Sequence, residues 1–314
     1  MQIKVVFNVL KGFLTYQLNK WRFSKVDYFN YEKLISYPEF ILPSPLFFNI
    51  SYGLFRAINK SYKGKVDMVH DYVEHGLFYS ESATLLMNIL HRKPIRKVFT
   101  FSDRRKKQIE NVLSKSGYNG IEVIAIGPMI NNAPNFYNRV KLDAIKKTLG
   151  KTLLVIPMHS WYGVNNNFAH DSFIEEIERI KIDFDTVLVC LYYLDIRKGK
   201  EQFYKDMGYT IVCNGNRCDP SFISRHRDLI ELADLTMSNG IGTHIGYSIA
   251  LNRPHYYYKQ DMEVELAPQV KDDERIEQEY RSQFEKEVVE LFGQYSLNIT
   301  EEQKTFVRYY WGDY

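Results

Sequence analysis

Three short segments of this sequence combine residue types able to bind and turn over a polar ligand. Glu74-His75-Gly76 sets a carboxylate and an imidazole beside a residue with no side chain. Either group can take a proton from a hydroxyl, since general bases are most often histidines or carboxylates tuned by their surroundings. His159 and Ser160 can donate to a phosphate or a sugar oxygen, and Trp161 behind them can stack on a ring. In the third segment, Ser238, Asn239, Gly240, Gly242, Thr243 and His244 follow one another closely between a short apolar run and a helical pattern. Glycines there permit close backbone approach, and the free N–H groups of a helix start, joined by Ser238, Asn239 and Thr243 as neutral donors, suit a phosphate or diphosphate. The spacing Gly240-x-Gly242-x-x-x-Gly246 is one residue longer than the dinucleotide fingerprint and falls late in the chain, so a dinucleotide fold matches poorly. Arg217 and Arg225-His226-Arg227 add local positive charge. Helix residues two apart face different directions, so most of that cluster reads as a solvated face.

Such groups need elements that end where they stand. Short apolar runs predict strands at 68–73, 97–101, 122–126, 152–157, 186–193, 209–213, 235–238 and 255–259. Helical spacing fills the intervals: 82–91; 103–116, closed by Gly117; a capping box Ser172-x-x-Glu175 before Phe173, Ile174, Ile177 and Ile180; 222–233; and 245–250, stopped by Asn252 and Pro254. Strands alternating with helices imply parallel sheets covered on both faces, with ligands at the carboxyl ends of the strands. All three chemical segments fall at such ends. The polar stretch 131–151 reads as a loop-rich boundary, giving an N-terminal lobe at 1–140, a second lobe at 141–265 and a C-terminal helical segment at 266–314 that packs across the lobes. From Asp261 onward the chain reads as charged and helical.

At the N-terminus, Val6, Val9, Leu10, Phe13, Leu14, Leu18 and Trp21 recur at helical spacing with Lys4, Lys11, Lys20 and Arg22 around them. This amphipathic helix either packs on its own domain or lies, through residues 4–22, on an anionic membrane surface. Composition excludes several classes. A net charge of +3 from 41 basic and 38 acidic residues gives no reason to expect nucleic acid. The longest apolar stretch, 187–194, is far short of the ~20 residues that cross a bilayer. No secretory signal pattern is present, and three cysteines without a C-x-x-C pair favour a reducing compartment, so the expected location is cytoplasmic. No metal site is expected: Asp183-Phe-Asp185 precedes its strand, and Cys213, Cys218, His226, His244 and His255 lack zinc-ligand spacing.

Residues 153–160 (Leu-Leu-Val-Ile-Pro-Met-His-Ser), 213–220 (Cys-Asn-Gly-Asn-Arg-Cys-Asp-Pro) and 238–247, with Asn252-Arg-Pro-His255, resemble proteins of bacterial surface-polysaccharide clusters that are taken as glycosyltransferases of the GT-B kind. The resemblance is best over 151–258, and Glu74-His75-Gly76 is similar to the acceptor-side turn of related sialic acid, Kdo and glycerophosphate transferases. It implies a fold of two Rossmann-like lobes, the acceptor side at 1–140 and the nucleotide-sugar donor side at 141–265, and metal-independent transfer of a sugar from a nucleotide-activated donor to a glycan or lipid-linked hydroxyl, without a cofactor. Carried over by position, His159, Ser160, Ser238, Asn239, Gly242 and Thr243 hold nucleotide and phosphates, Arg217, Gly240 and His244 stand beside them, and Glu74 or His75 serves as base. A nucleotide-sugar epimerase of the same fold and a non-catalytic nucleotide-binding or assembly protein are the rival readings.

Overall fold

The computed structural model describes residues 2–39, 46–62, 64, 66–78, 81, 83–160, 164–266 and 274–314. Three parallel strands, β1 (Asp71–Val73), β2 (Lys97–Thr100) and β3 (Glu122–Ala125), form a sheet in that order. The chain continues through β4 (Thr152–Ile156), β5 (Val164–Asn167), β6 (Thr186–Cys190), β7 (Thr210–Val212), β8 (Leu235–Ser238), β9 (His255–Tyr257) and β10 (Glu263–Leu266). Five of these make a second parallel sheet, ordered β7-β6-β4-β8-β9, while β10 pairs antiparallel with β5. The fold is therefore α/β with two parallel sheets. In the larger sheet the connections run one way from β4 to β6 and the other way to β8, so a crevice opens between the ends of β4 and β8.

The period-two alternation of the strands sorts side chains between cores. In β4, Leu153 and Val155 join Val189, Leu235 and Met237 on one face, and Leu154 and Ile156 join Leu188 and Cys190 on the other. The latter core continues to Val73, Phe99 and Phe101 of the smaller sheet and to Phe284, Val288, Phe306 and Trp311 near the C-terminus. Tyr72, Val98 and Val123 face outward onto the helices Thr84–Leu90 and Asp103–Lys115. The two sheets thus share an apolar layer, which fixes one against the other.

Several expectations need correction. The 68–73 strand keeps only its last three residues, because the Asp67 carboxylate accepts from the amides of Val69 and His70 and curls the preceding stretch into a turn. The 186–193 run ends at Cys190; Tyr193–Arg197 is a helix with Tyr193 and Ile196 buried, and an apolar run alone cannot separate the two. No capping box forms at Ser172: the helix starts at His170, and the Ser172 hydroxyl donates back to Ala169 O at 3.1 Å. The stretch 131–151 is largely helix, Arg139–Leu149, capped by Asn138, and its polar residues are the exposed face. After Asp261 comes β10 before the helices Glu274–Phe292 and Glu301–Trp311. Phe23, Val26 and Leu34 pack with the five-stranded sheet rather than within an N-terminal lobe, since chain order does not decide which core an apolar residue joins. Pro43, Pro45, Ser82 and Trp161 lie outside the described residues.

Candidate active site

The turn after β1 divides its two chemical residues. Glu74 is buried; Arg105 donates to it through Nη2 at 2.7 Å and Nε at 3.1 Å, and Thr100 donates its hydroxyl at 2.6 Å. A carboxylate held by a guanidinium fork and a hydroxyl is fixed in place, so Glu74 anchors the turn. His75, next in the chain, is half-buried and faces the other sheet. Its ring lies 5.6 Å from that of Tyr52, and the Tyr52 hydroxyl is 3.2 Å from the hydroxyl of Tyr192, just beyond β6. The Tyr192 ring in turn lies 4.4 Å from His159, beyond β4. A line of rings therefore joins the end of β1 to the crevice of the larger sheet. Tyr52 takes a left-handed conformation (φ 58°) ahead of Gly53 (φ 74°), and its amide donates to Arg217 O at 2.7 Å. Cβ on Gly53 would meet Pro220 O at 2.4 Å, so glycine is what lets the two loops touch.

On the larger sheet, some expected ligand groups are engaged internally. Asn239 accepts from Met158 N at 2.8 Å and donates to Gln260 at 2.7 Å, strapping the β4 and β8 ends together. Ser238 is fully buried against Gly240 O and His255 Nε2, and Ser160 is buried with its amide on Asp195. These residues build the crevice wall. Neither Gly240 nor Gly242 needs a left-handed backbone; Gly242 is extended at φ −166°. Glycine at 240 answers packing instead, because a Cβ there would sit 2.4 Å from Met158 Sδ. Gly242 caps the helix Thr243–Ala250 without a side-chain bond, so the cap supplies no acceptor to the first amides of that helix.

Histidines gather around this helix start. His244 lies 5.6 Å from His255, ring to ring, and its Nε2 is 3.2 Å from Gly240 O. Its pKa falls well below the ordinary value, first through burial and then through His255, His226 and His159 nearby. Burial lowers His226 to about 4 and His255 to about 3; burial, helped by the Arg217 charge, lowers His75 to about 4. At neutral pH these imidazoles are uncharged and can both donate and accept. The chance scatter of histidines in sequence is thus a cluster in space, although no group of three His, Cys, Asp or Glu among the described residues is arranged to hold a metal ion. Arg217 stands beside this assembly, paired with Glu39 at 2.8 Å. Arg225 overturns the solvated-face reading: it is fully buried, paired with Asp219, and donates to Val26 O at 2.8 Å. Arg227 likewise binds Ala133 O at 2.7 Å. Asp183 and Asp185 lie at the amino end of β6, away from the crevice.

Sequence reasoning missed Tyr52, Tyr192, Arg105 and Glu39. The Tyr-Gly pair hints at a turn, but its long-range partners leave no local pattern. A cavity of about 740 Å³ opens beyond the ends of β2 and β3 between Ser102, Arg104, Gly127 and Arg308. It contains none of the expected site residues; Glu81 lines it.

No family model matches the chain, and neither does any curated protein. Among solved structures it is similar to the wall teichoic acid polymerase TagF, at 14% identity over 60% of this chain and 49% of that one, with a TM-score of 0.35. It is also similar to an ADP-heptose lipopolysaccharide heptosyltransferase II from E. coli (10% identity, 67% and 80% coverage, TM-score 0.32). A UDP-GlcNAc 2-epimerase from Methanocaldococcus jannaschii gives 12% identity, 82% and 73% coverage and a TM-score of 0.40. The chain spans about half the length of the polymerase. Likeness at this level adds nothing to the architecture read directly from the strand order.

Proposed function

We propose that this protein transfers a sugar from a nucleotide-activated donor to an acceptor hydroxyl. The observation that carries the reading is the line His75, Tyr52, Tyr192, His159, which spans from one sheet's carboxyl end to the other's crevice. The donor's diphosphate lies at the start of helix Thr243–Ala250, where free amides and neutral histidine N–H groups receive it. His75, uncharged at neutral pH, takes the proton from the acceptor hydroxyl as its oxygen bonds to the anomeric carbon. The bond from that carbon to the phosphate oxygen breaks, and its electron pair leaves on the nucleoside diphosphate. Glu74, held by Arg105, positions His75 through the backbone of the turn. No metal is assigned a part in the step. The resemblance of residues 151–258 to polysaccharide-cluster proteins supports placing the reaction in surface-glycan assembly.

The test is thermal unfolding with UDP, GDP, CMP and CDP, followed by product analysis with the corresponding sugar donors. A nucleotide at about 100 times its dissociation constant adds about 2.7 kcal/mol to the folded state, a shift of several degrees. One responding nucleotide and acceptor-dependent product are expected. Product from donor alone would replace transfer by epimerisation, and silence of a folded protein across the panel would remove the nucleotide site.

A further inference from the structure

The helix Gln2–Phe23 is attached to the protein by the less apolar of its faces. Among its described side chains Thr15, Tyr16, Asn19 and Phe23 are buried; Asn19 Nδ2 donates to Cys218 O at 3.1 Å, and the Tyr16 ring meets Phe55 at 6.1 Å. The opposite side presents Phe7 (66% exposed), Leu10 (55%), Leu14 (65%), Leu18 (42%) and Trp21 (61%). At 3.6 residues per turn these five side chains fall within roughly 80° of the helix circumference, with exposed Phe13 beside them. An apolar stripe of this length turned to water on a pinned helix calls for a partner surface.

Charge decides which. Residues 1–26 include Lys4, Lys11, Lys20, Arg22 and Lys25 and no Asp or Glu. Lys11 and Arg22 border the stripe on one side and Lys20 on the other, while the Lys25 ammonium lies 4.8 Å over the Trp21 ring. A second copy of this face would bring like charges together. No described helix is long and apolar enough to cross a membrane. We infer that Gln2–Phe23 lies in the plane of an anionic lipid surface, its stripe sunk about 5–10 Å into the headgroup and acyl boundary and its basic rim on the lipid phosphates. Beneath the helix, Cys218 holds Asn19, and the neighbouring Arg217 carbonyl holds Tyr52. The loop beside His75 therefore stands about one helix diameter, roughly 10 Å, from the lipid.

The test uses the full chain without donor or acceptor, so it can fail without touching the transfer reading, and the reverse. Sedimentation with vesicles of equal parts phosphatidylcholine and phosphatidylglycerol should carry the protein down, pure phosphatidylcholine should not, and high salt should weaken the association. Trp21 emission should move to the blue on binding, with Trp21→Phe removing that change. A variant with Leu14, Leu18 and Trp21 all changed to Ser should bind at least about tenfold more weakly, at an unchanged unfolding temperature. Lys11→Glu with Lys20→Glu should abolish the preference for anionic vesicles. Wild-type protein that ignores both vesicle types, triple-Ser protein that binds like wild type, or light scattering that shows a dimer which the triple-Ser variant dissociates would each overturn the inference.

Discussion

The carboxyl ends of the two sheets are finished in different ways. Around β4 and β8, Asn239 straps Met158 to Gln260, Ser238 and Thr236 bracket His255, and Asp195 holds the Ser160 amide and Lys200. Around β1 to β3, Glu74 is buried with Arg105 and Thr100, and a cavity of about 740 Å³ opens beyond the strand ends. A wall whose polar groups already bond one another needs no rearrangement when a ligand arrives, and suits a group common to every turnover. The open side can admit ligands of different size. In the proposed reaction the first is the donor's phosphates, and the acceptor meets His75 at the end of β1.

This contrast can be broken by substitution. The largest effect should come from Arg225→Ala, which leaves the Asp219 carboxylate buried without its partner and releases the loops at Phe23 and Val26. It should cost about 3–5 kcal/mol in urea unfolding. His75→Ala should slow transfer by about 10² to 10⁴-fold while the thermal response to nucleotide stays unchanged, because the residue belongs to the open side. A lost nucleotide response would merge the two sides into one site. Next comes Gly246→Ala, whose Cβ would fall 2.3 Å from the Trp311 ring. Overpacking there should lower stability by about 1–3 kcal/mol, measured as a fall in Tm, and loosen the C-terminal segment that borders the cavity.

His226→Asn sharpens the comparison through pH. In the folded protein burial lowers His226 to about 4, below the ordinary 6.5. Between those values the unfolded chain binds a proton that the folded one refuses, so stability rises with pH and is lost as pH falls from 6.5 towards 4. The variant should flatten that limb by about 1.4 kcal/mol per pH unit relative to wild type. Asp228, raised to about 6 chiefly by burial, titrates in the opposite sense, so the difference between the two proteins is the quantity to read. Gly117→Ala is the mildest change. Its φ of +75° strains an L residue, but no atom lies within 4 Å of the added carbon, so about 1–2 kcal/mol is expected in urea unfolding.

Much of the frame was legible because it is local. Leu235–Ser238 and the starts of β2, β3 and β4 follow from apolar runs between helical patterns, and Gly117 closes its helix in the left-handed conformation that a glycine permits. The segments proposed to carry chemistry stand at helix starts and strand ends, which are visible in residue type. Their division of labour was not: Glu74 and His75 are neighbours, yet one is locked by Arg105, 31 positions away, and the other looks toward Tyr52. Exposure of the N-terminal stripe was likewise undecided, since an amphipathic helix has the same periodicity whether its apolar face is inward or outward.

What this sequence determined by itself is therefore its alternation of strands and helices, its parallel sheets and the glycine-bearing helix start, all of them consequences of side-chain period and backbone freedom over a few residues. Only the tertiary structure decided which polar groups are consumed by one another, as when Asn239 binds Met158 and Gln260 or Arg225 binds Asp219. Hydrogen bonds and ion pairs of that kind join residues far apart in the chain, and burial sets the pKa values of the histidines among them. Neither is a property of any segment alone.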